Sequence, residues 1–169
     1  MAPQWTHLAR FIAKEDGRVH LGQIDPAKVP DVGRAVFKGE QVAAHEVTGG
    51  VFDGVVTGRV LHVDRLLSPL APSDVPLIRC MGINYHDHAK EANIPPPTEP
   101  ILFIKPRTAL NGPYPAAINV PTIAQDGTSD YEAKLTFVIG KEGRTSRRRR
   151  RLRFEHEGIG TLINEVYYE

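Results

Sequence analysis

The chain has 169 residues, 41% of them hydrophobic and 24% charged, the balance of a soluble globular protein of one ordinary domain, or of one small domain plus part of another. No run reaches the roughly 18 to 20 apolar residues of a membrane helix, Met1–His7 lacks the charged-then-apolar order of a secretory signal, and the single Cys80 excludes an internal disulfide framework. The net charge of +1 conceals seven arginines between Arg144 and Arg153, so the rest of the chain is mildly acidic. A cytoplasmic protein without a membrane or nucleic-acid partner is expected, with Cys80 a buried structural thiol.

The 15 Gly and 14 Pro favour short strands joined by turns over a bundle of long helices. His7 to Ile24 reads as a hairpin, Leu8–Lys14 and Arg18–Ile24 turning at Glu15-Asp16-Gly17, where Asp-Gly supplies the positive backbone angles of a tight turn. Val47 to Val63 repeats the pattern around Gly49-Gly50 and Asp53-Gly54, and Leu66 to Pro76, with three prolines, reads as a connector. Leu77–Ile83 is then a short apolar strand and Tyr85–Ala92 a short helix that stops before Pro95-Pro96-Pro97. Ile101–Lys105 predicts a second, buried strand closed by Pro106, Ile118–Pro121 a brief extended piece, and Tyr131–Ile139 a third strand ended by Gly140.

Two groups of residues have the types that chemistry needs. On a helix, His88 and Glu91 lie three apart on one face, where a carboxylate can orient an imidazole that activates water as a general base; a solvated surface pair gives the same pattern. On a strand, Glu132 and position 134 share a face. Two acids there would suit a hard divalent cation, but position 134 is Lys134, whose ammonium repels a cation and pairs naturally with Glu132. His7, His20, His45, His62 and His156 lack ligand spacing and read as surface or satisfied structural histidines. Asp126–Asp130 reads as a turn.

Taken in order, Met81-Gly82-Ile83-Asn84-Tyr85 with His88 and Glu91, the run Glu99–Pro106, Asp130-Tyr131-Glu132, and Val138-Ile139-Gly140-Lys141 resemble the fumarylacetoacetate hydrolase family. The resemblance implies an α+β, mainly β fold: a mixed β-roll catalytic domain behind a small N-terminal β-rich module, assembled as a homodimer. It also implies a magnesium or manganese ion, acting on acylpyruvates or related oxo acids by hydrolytic carbon–carbon cleavage, decarboxylation or isomerisation. By the same resemblance His88 is the base, Glu91 its partner, Glu132 a metal ligand, and Lys105 the cation for the substrate's carboxylate. Asn84 and Tyr85 fall in the family's strand-to-helix turn, Tyr85 also lining the substrate site.

The sequence departs from the family at Lys134, where the resemblance places a second glutamate, and in having no later aspartate motif. The resemblance stops after Gly143. The expected organisation is therefore an N-terminal module and linker over 1–75, the first part of the catalytic domain over 76–143, an incomplete roll, and a divergent arginine-rich tail over 144–169 in a C-terminally truncated relative. The same residues leave open a catalytically silent fragment that binds or dimerises.

Overall fold

The computed structural model describes residues 4–139 and the backbone of 165–168. The protein is mainly β with few helices, and it divides into two compact units, one combining the residues before Ser68 with those after Asn111, the other Ser68–Asn111. Among the described residues, no helix is long and apolar enough to cross a membrane.

The first unit is built on a four-stranded closed barrel of β1 (Leu8–Ala13), β2 (Val19–Gln23), β3 (Ala43–Thr48) and β4 (Val55–Leu67). β1 and β2 form the expected hairpin, with Leu8 opposite Gln23 and Ile12 opposite Val19, and Gly17 takes the left-handed backbone (φ 68°) that its turn requires. Alternation along β1 sends Ala9, Phe11 and Ala13 inward, where they meet Val42, Ala44, Leu61 and Val63 in one apolar cluster. Phe11 fills the centre and is fully buried. The wall closes on it at Gly22: a Cβ there would lie 2.8 Å from Ala44 Cβ and 2.9 Å from Phe11 Cε1, so only glycine fits without a shift.

Between β2 and β3 the chain forms α1 (Val32–Phe37), which the sequence reading does not include. Asp31 caps it, its carboxylate accepting the Arg34 N–H at 2.9 Å, and Ala35 turns into the core. The outer barrel wall carries two polar clasps. His20 stands between carboxylates, Nε2 at 3.0 Å from Asp16 and Nδ1 at 3.2 Å from Glu46, while Arg59 reaches Glu46 at 3.0 Å. Glu15 accepts the backbone N–H and contacts the ring Nδ1 of His62 at 2.7 Å. Both histidines are thus satisfied structural residues, as expected.

The same unit includes β7 (Ala117–Val120), at the expected extended piece, paired in parallel with β8 (Glu165–Tyr168), which the sequence reading does not include. The strand expected over Tyr131–Ile139 does not form; the described residues there have no regular structure and Tyr131 is 91% exposed. A strand exists only through a ladder to a neighbour, and alternation of residue type supplies no neighbour. Gly140 and the arginine run lie outside the described residues.

The second unit holds β5 (Ile78–Gly82) and β6 (Ile101–Lys105), antiparallel with Ile78 opposite Lys105 and Gly82 opposite Ile101, and α2 (His86–Glu91) between them. Element positions match expectation, but burial does not. Cys80 is half-buried rather than buried, and every residue of β6 is exposed, Ile104 at 61%. An apolar composition states what a strand would bury if covered, and a two-stranded sheet has two faces and little to cover either.

Truncating Phe11→Ala should cost about 3–5 kcal/mol of unfolding free energy, measured by urea titration on the fluorescence of Trp5, the sole tryptophan. The His62 ring and backbone N–H hold the Glu15 carboxyl below the usual carboxylate range, and the Arg18 N–H, followed by His20 and Arg59, does so for Asp16. A depressed folded value makes the contribution complete above the ordinary carboxylate range and lost as pH falls through the lowered values. Acidification below roughly pH 4 should therefore lower the urea midpoint, and Glu15→Gln should flatten that fall; an unchanged acid limb in the variant would remove Glu15 from the account.

Candidate active site

The segment from Met81 to Ile94 is shaped by backbone turns at both ends of α2. After β5, Ile83 takes a left-handed conformation (φ 50°), which a β-branched residue adopts only under strain. The Asn84 side-chain amide donates to the Met81 carbonyl at 2.7 Å and pins this corner. Tyr85 is the N-cap in extended conformation (φ −119°, ψ 134°), and its carbonyl accepts the Ala89 N–H at 3.1 Å. Its side chain makes no capping bond and is 56% exposed, open to a ligand.

The far end of α2 is a Schellman motif. Asn93 is left-handed (φ 53°), its N–H donates to the Lys90 carbonyl at 3.1 Å, and the Ile94 N–H donates to the Ala89 carbonyl at 2.9 Å. Asparagine tolerates this backbone, and the prolines that follow Ile94 cannot continue a helix. Only Ala89 of the helix is buried. His88 and Glu91 stand one turn apart with exposed side chains.

Lys105 lies elsewhere on the same unit. The β5–β6 register sets it beside Ile78, at the opposite end of β5 from the corner that leads into α2. Four residue steps of strand separate the two ends, roughly 13 Å. Glu132 belongs to the other unit, where Lys134 Nζ lies 3.0 Å from its Oε2, the ion pair expected from their spacing. Tyr85, His88, Glu91 and Lys105 thus share one unit, whereas Glu132 does not.

A divalent cation finds no ready seat here. Among the described residues no group of three or more His, Cys, Asp or Glu side chains is arranged to hold a metal ion. The one residue that the resemblance assigns as ligand, Glu132, already carries an ammonium. The magnesium or manganese site implied by the resemblance is therefore not met by these residues. A hollow of about 260 Å³ on the barrel, lined by Asp25, Lys28, Gln41 and His45 among others, contains none of the expected site residues.

Sequence reasoning missed Ile83 and Asn93 as the residues that set the two corners. The visible signal was Asn93 ahead of a proline run; the strain at Ile83 leaves no compositional trace.

Comparison with known proteins converges on one family. Residues 77–152 match the model of the fumarylacetoacetate (FAA) hydrolase C-terminal family, running past Gly143, where the sequence reading ends the resemblance. The chain is 42% identical to a caffeoylpyruvate hydrolase of Neonothopanus nambi, over 83% of this chain and 52% of that protein. It is 43% identical to a human mitochondrial oxaloacetate tautomerase, over 82% of this chain and 42% of that protein. A solved protein of Mycobacterium abscessus is similar with a TM-score of 0.44 and 25% identity, over 69% of this chain and 39% of that one. The chain spans about half the length of the curated relatives it matches.

Replacing Asn93→Val puts a β-branched residue in the left-handed cap and should destabilise the Ser68–Asn111 unit by about 1–2 kcal/mol, while Asn93→Gly should be nearly neutral. Amide hydrogen exchange at Ala92 and Ile94 reads the difference.

Proposed function

Because this chain belongs to the fumarylacetoacetate hydrolase family, we propose that it acts on acylpyruvates or closely related oxo acids, with His88 as the base. The observation that carries this reading is α2 itself: a six-residue helix fixed at both corners that presents His88 and Glu91 one turn apart and solvent-accessible. Relatives named as a caffeoylpyruvate hydrolase and an oxaloacetate tautomerase bracket the substrate class, since each name denotes an oxo acid.

In the hydrolytic version, His88 takes a proton from water as its oxygen attacks the acyl carbonyl. The carbon–carbon bond breaks, its electron pair stays on the pyruvate side as an enolate, and the proton from His88 quenches that carbanion. Glu91 orients the imidazole and offsets its transient charge. In the tautomerising version the same base lifts a proton from the carbon beside the ketone and returns it at the enol oxygen. Lys105, by the family resemblance, reads the carboxylate of the oxo acid through its positive charge. Tyr85, exposed at the cap, lines the approach.

The divalent ion implied by the family resemblance enters no step here, because Glu132 and its neighbours do not form a seat for it. We read the Ser68–Asn111 unit as the opening part of a mixed β-roll. A homodimer would cover its apolar side chains, Leu102 and Ile104 among them, which are more than half exposed.

Turnover of acetylpyruvate and oxaloacetate, followed by loss of enol absorbance, tests the reading. His88→Gln should lower kcat by at least about 100-fold, Glu91→Gln by about tenfold, and Lys105→Met should raise KM with a smaller effect on kcat. Equal kcat in His88→Gln and the unaltered protein would sink the assignment of the base.

A further inference from the structure

We infer that Lys134 takes the place of a divalent cation at Glu132, so that this segment is a self-neutralised, cation-excluding position. The inference rests on the family assignment but not on the choice of substrate. Its starting point is contact: Lys134 Nζ lies 3.0 Å from Glu132 Oε2, with both side chains exposed, at 38% and 51%.

The acids that precede Glu132 are engaged in the same way, by the chain's own donors. Asp126 accepts the Thr128 hydroxyl at 2.6 Å and the Thr128 N–H at 3.0 Å, and the Thr128 hydroxyl bond, with that N–H, holds the Asp126 carboxyl below the usual carboxylate range. Asp130 accepts the N–H of Tyr131 at 2.7 Å. Each carboxylate between 126 and 132 thus closes on a partner within two residues. None is left converging on a common point, in keeping with the lack of a three-donor group among the described residues.

Electrostatics makes the exclusion active. A hard cation seated on Glu132 would sit a few ångströms from an ammonium that has no lone pair to offer and carries the same sign. Even with water's screening, a divalent charge about 4 Å from a monovalent one weakens binding by roughly tenfold or more. Displacing Lys134 into solvent would forfeit its pairing with Glu132. Replacing the ammonium by a carboxylate reverses both effects and sets a second oxygen donor at position 134, whose present side chain already reaches Glu132.

The test is paramagnetic broadening of amide NMR signals in the full chain by equimolar Mn²⁺, which needs no activity. In the unaltered protein the Tyr131–Leu135 amides should stay sharp relative to those of the barrel core, such as Phe11 and Leu61. In Lys134→Glu they should broaden selectively, with Mn²⁺ affinity at this segment up at least about tenfold. Lys134→Gln, which removes charge without adding a ligand, should fall between the two and keeps the test valid if the acidic variant fails to fold. Selective broadening of 131–135 in the unaltered protein would overturn the inference. So would sharp signals there in both variants, since Lys134 would then not be what keeps the cation out. Failure of acetylpyruvate turnover bears on the substrate reading and leaves these outcomes unchanged.

Discussion

A single strand does two jobs in the barrel, and the rest of that unit follows from it. β4 pairs with β3 through Val55–His62 and with β1 through Val63–Leu67, so one thirteen-residue strand is the seam at which the sheet returns to its first member. Closure removes the exposed strand edges that an open four-stranded sheet would present. It also forces tight curvature, absorbed at irregularities between Ile12 and Ala13 and between His45 and Val47. Phe11 fills the middle of this narrow wall, packed in one cluster with Leu61, Leu66, Ile24 and smaller alanines and valines, and against the bare backbone of Gly22. The His20 and Glu15 clasps tie the β1–β2 turn to β3 and β4 from outside.

The other unit is held by different means. Its candidate catalytic helix buries only Ala89 and is kept in shape by its ends: an amide-to-carbonyl bond from Asn84 on one side and two Schellman hydrogen bonds on the other. A site built this way relies on local backbone geometry more than on packing. His88 is accordingly accessible to water without a cavity having to be opened for it.

What was legible in the sequence follows the range of the interactions involved. The β1–β2 hairpin, β5, α2 and β6 are written in short-range chemistry, a Gly at the turn or a proline after the helix, and they fall within a residue or two of expectation. The Glu132–Lys134 pair is likewise an i, i+2 matter. α1 escaped because six residues hold too few turns for periodicity to show, although Asp31 ahead of Val32 was a capping signal. The exposure of β6, the lack of regular structure over Tyr131–Ile139 and the clasp that joins Asp16 and His20 to Glu46 and Arg59 depend on partners far away in sequence or on cover. Residue pattern does not encode those partners. A role for His88 and Glu91 comes from family likeness alone, since their spacing by itself reads first as a solvated pair.

The topology also sets an order of events. Three of the four barrel seams, β1–β2, β2–β3 and β3–β4, join strands that follow one another along the chain, so each closes only a modest loop. The β1–β4 seam spans the whole module and gains its ladder once the other three have shortened the path. The parallel β7–β8 pair joins Ala117–Val120 to Glu165–Tyr168, with no hairpin to bring them together. Contact between those two strands is consequently the slowest to be found, and a ribosome delivering the chain from its amino end will have released a finished barrel before the last strand emerges.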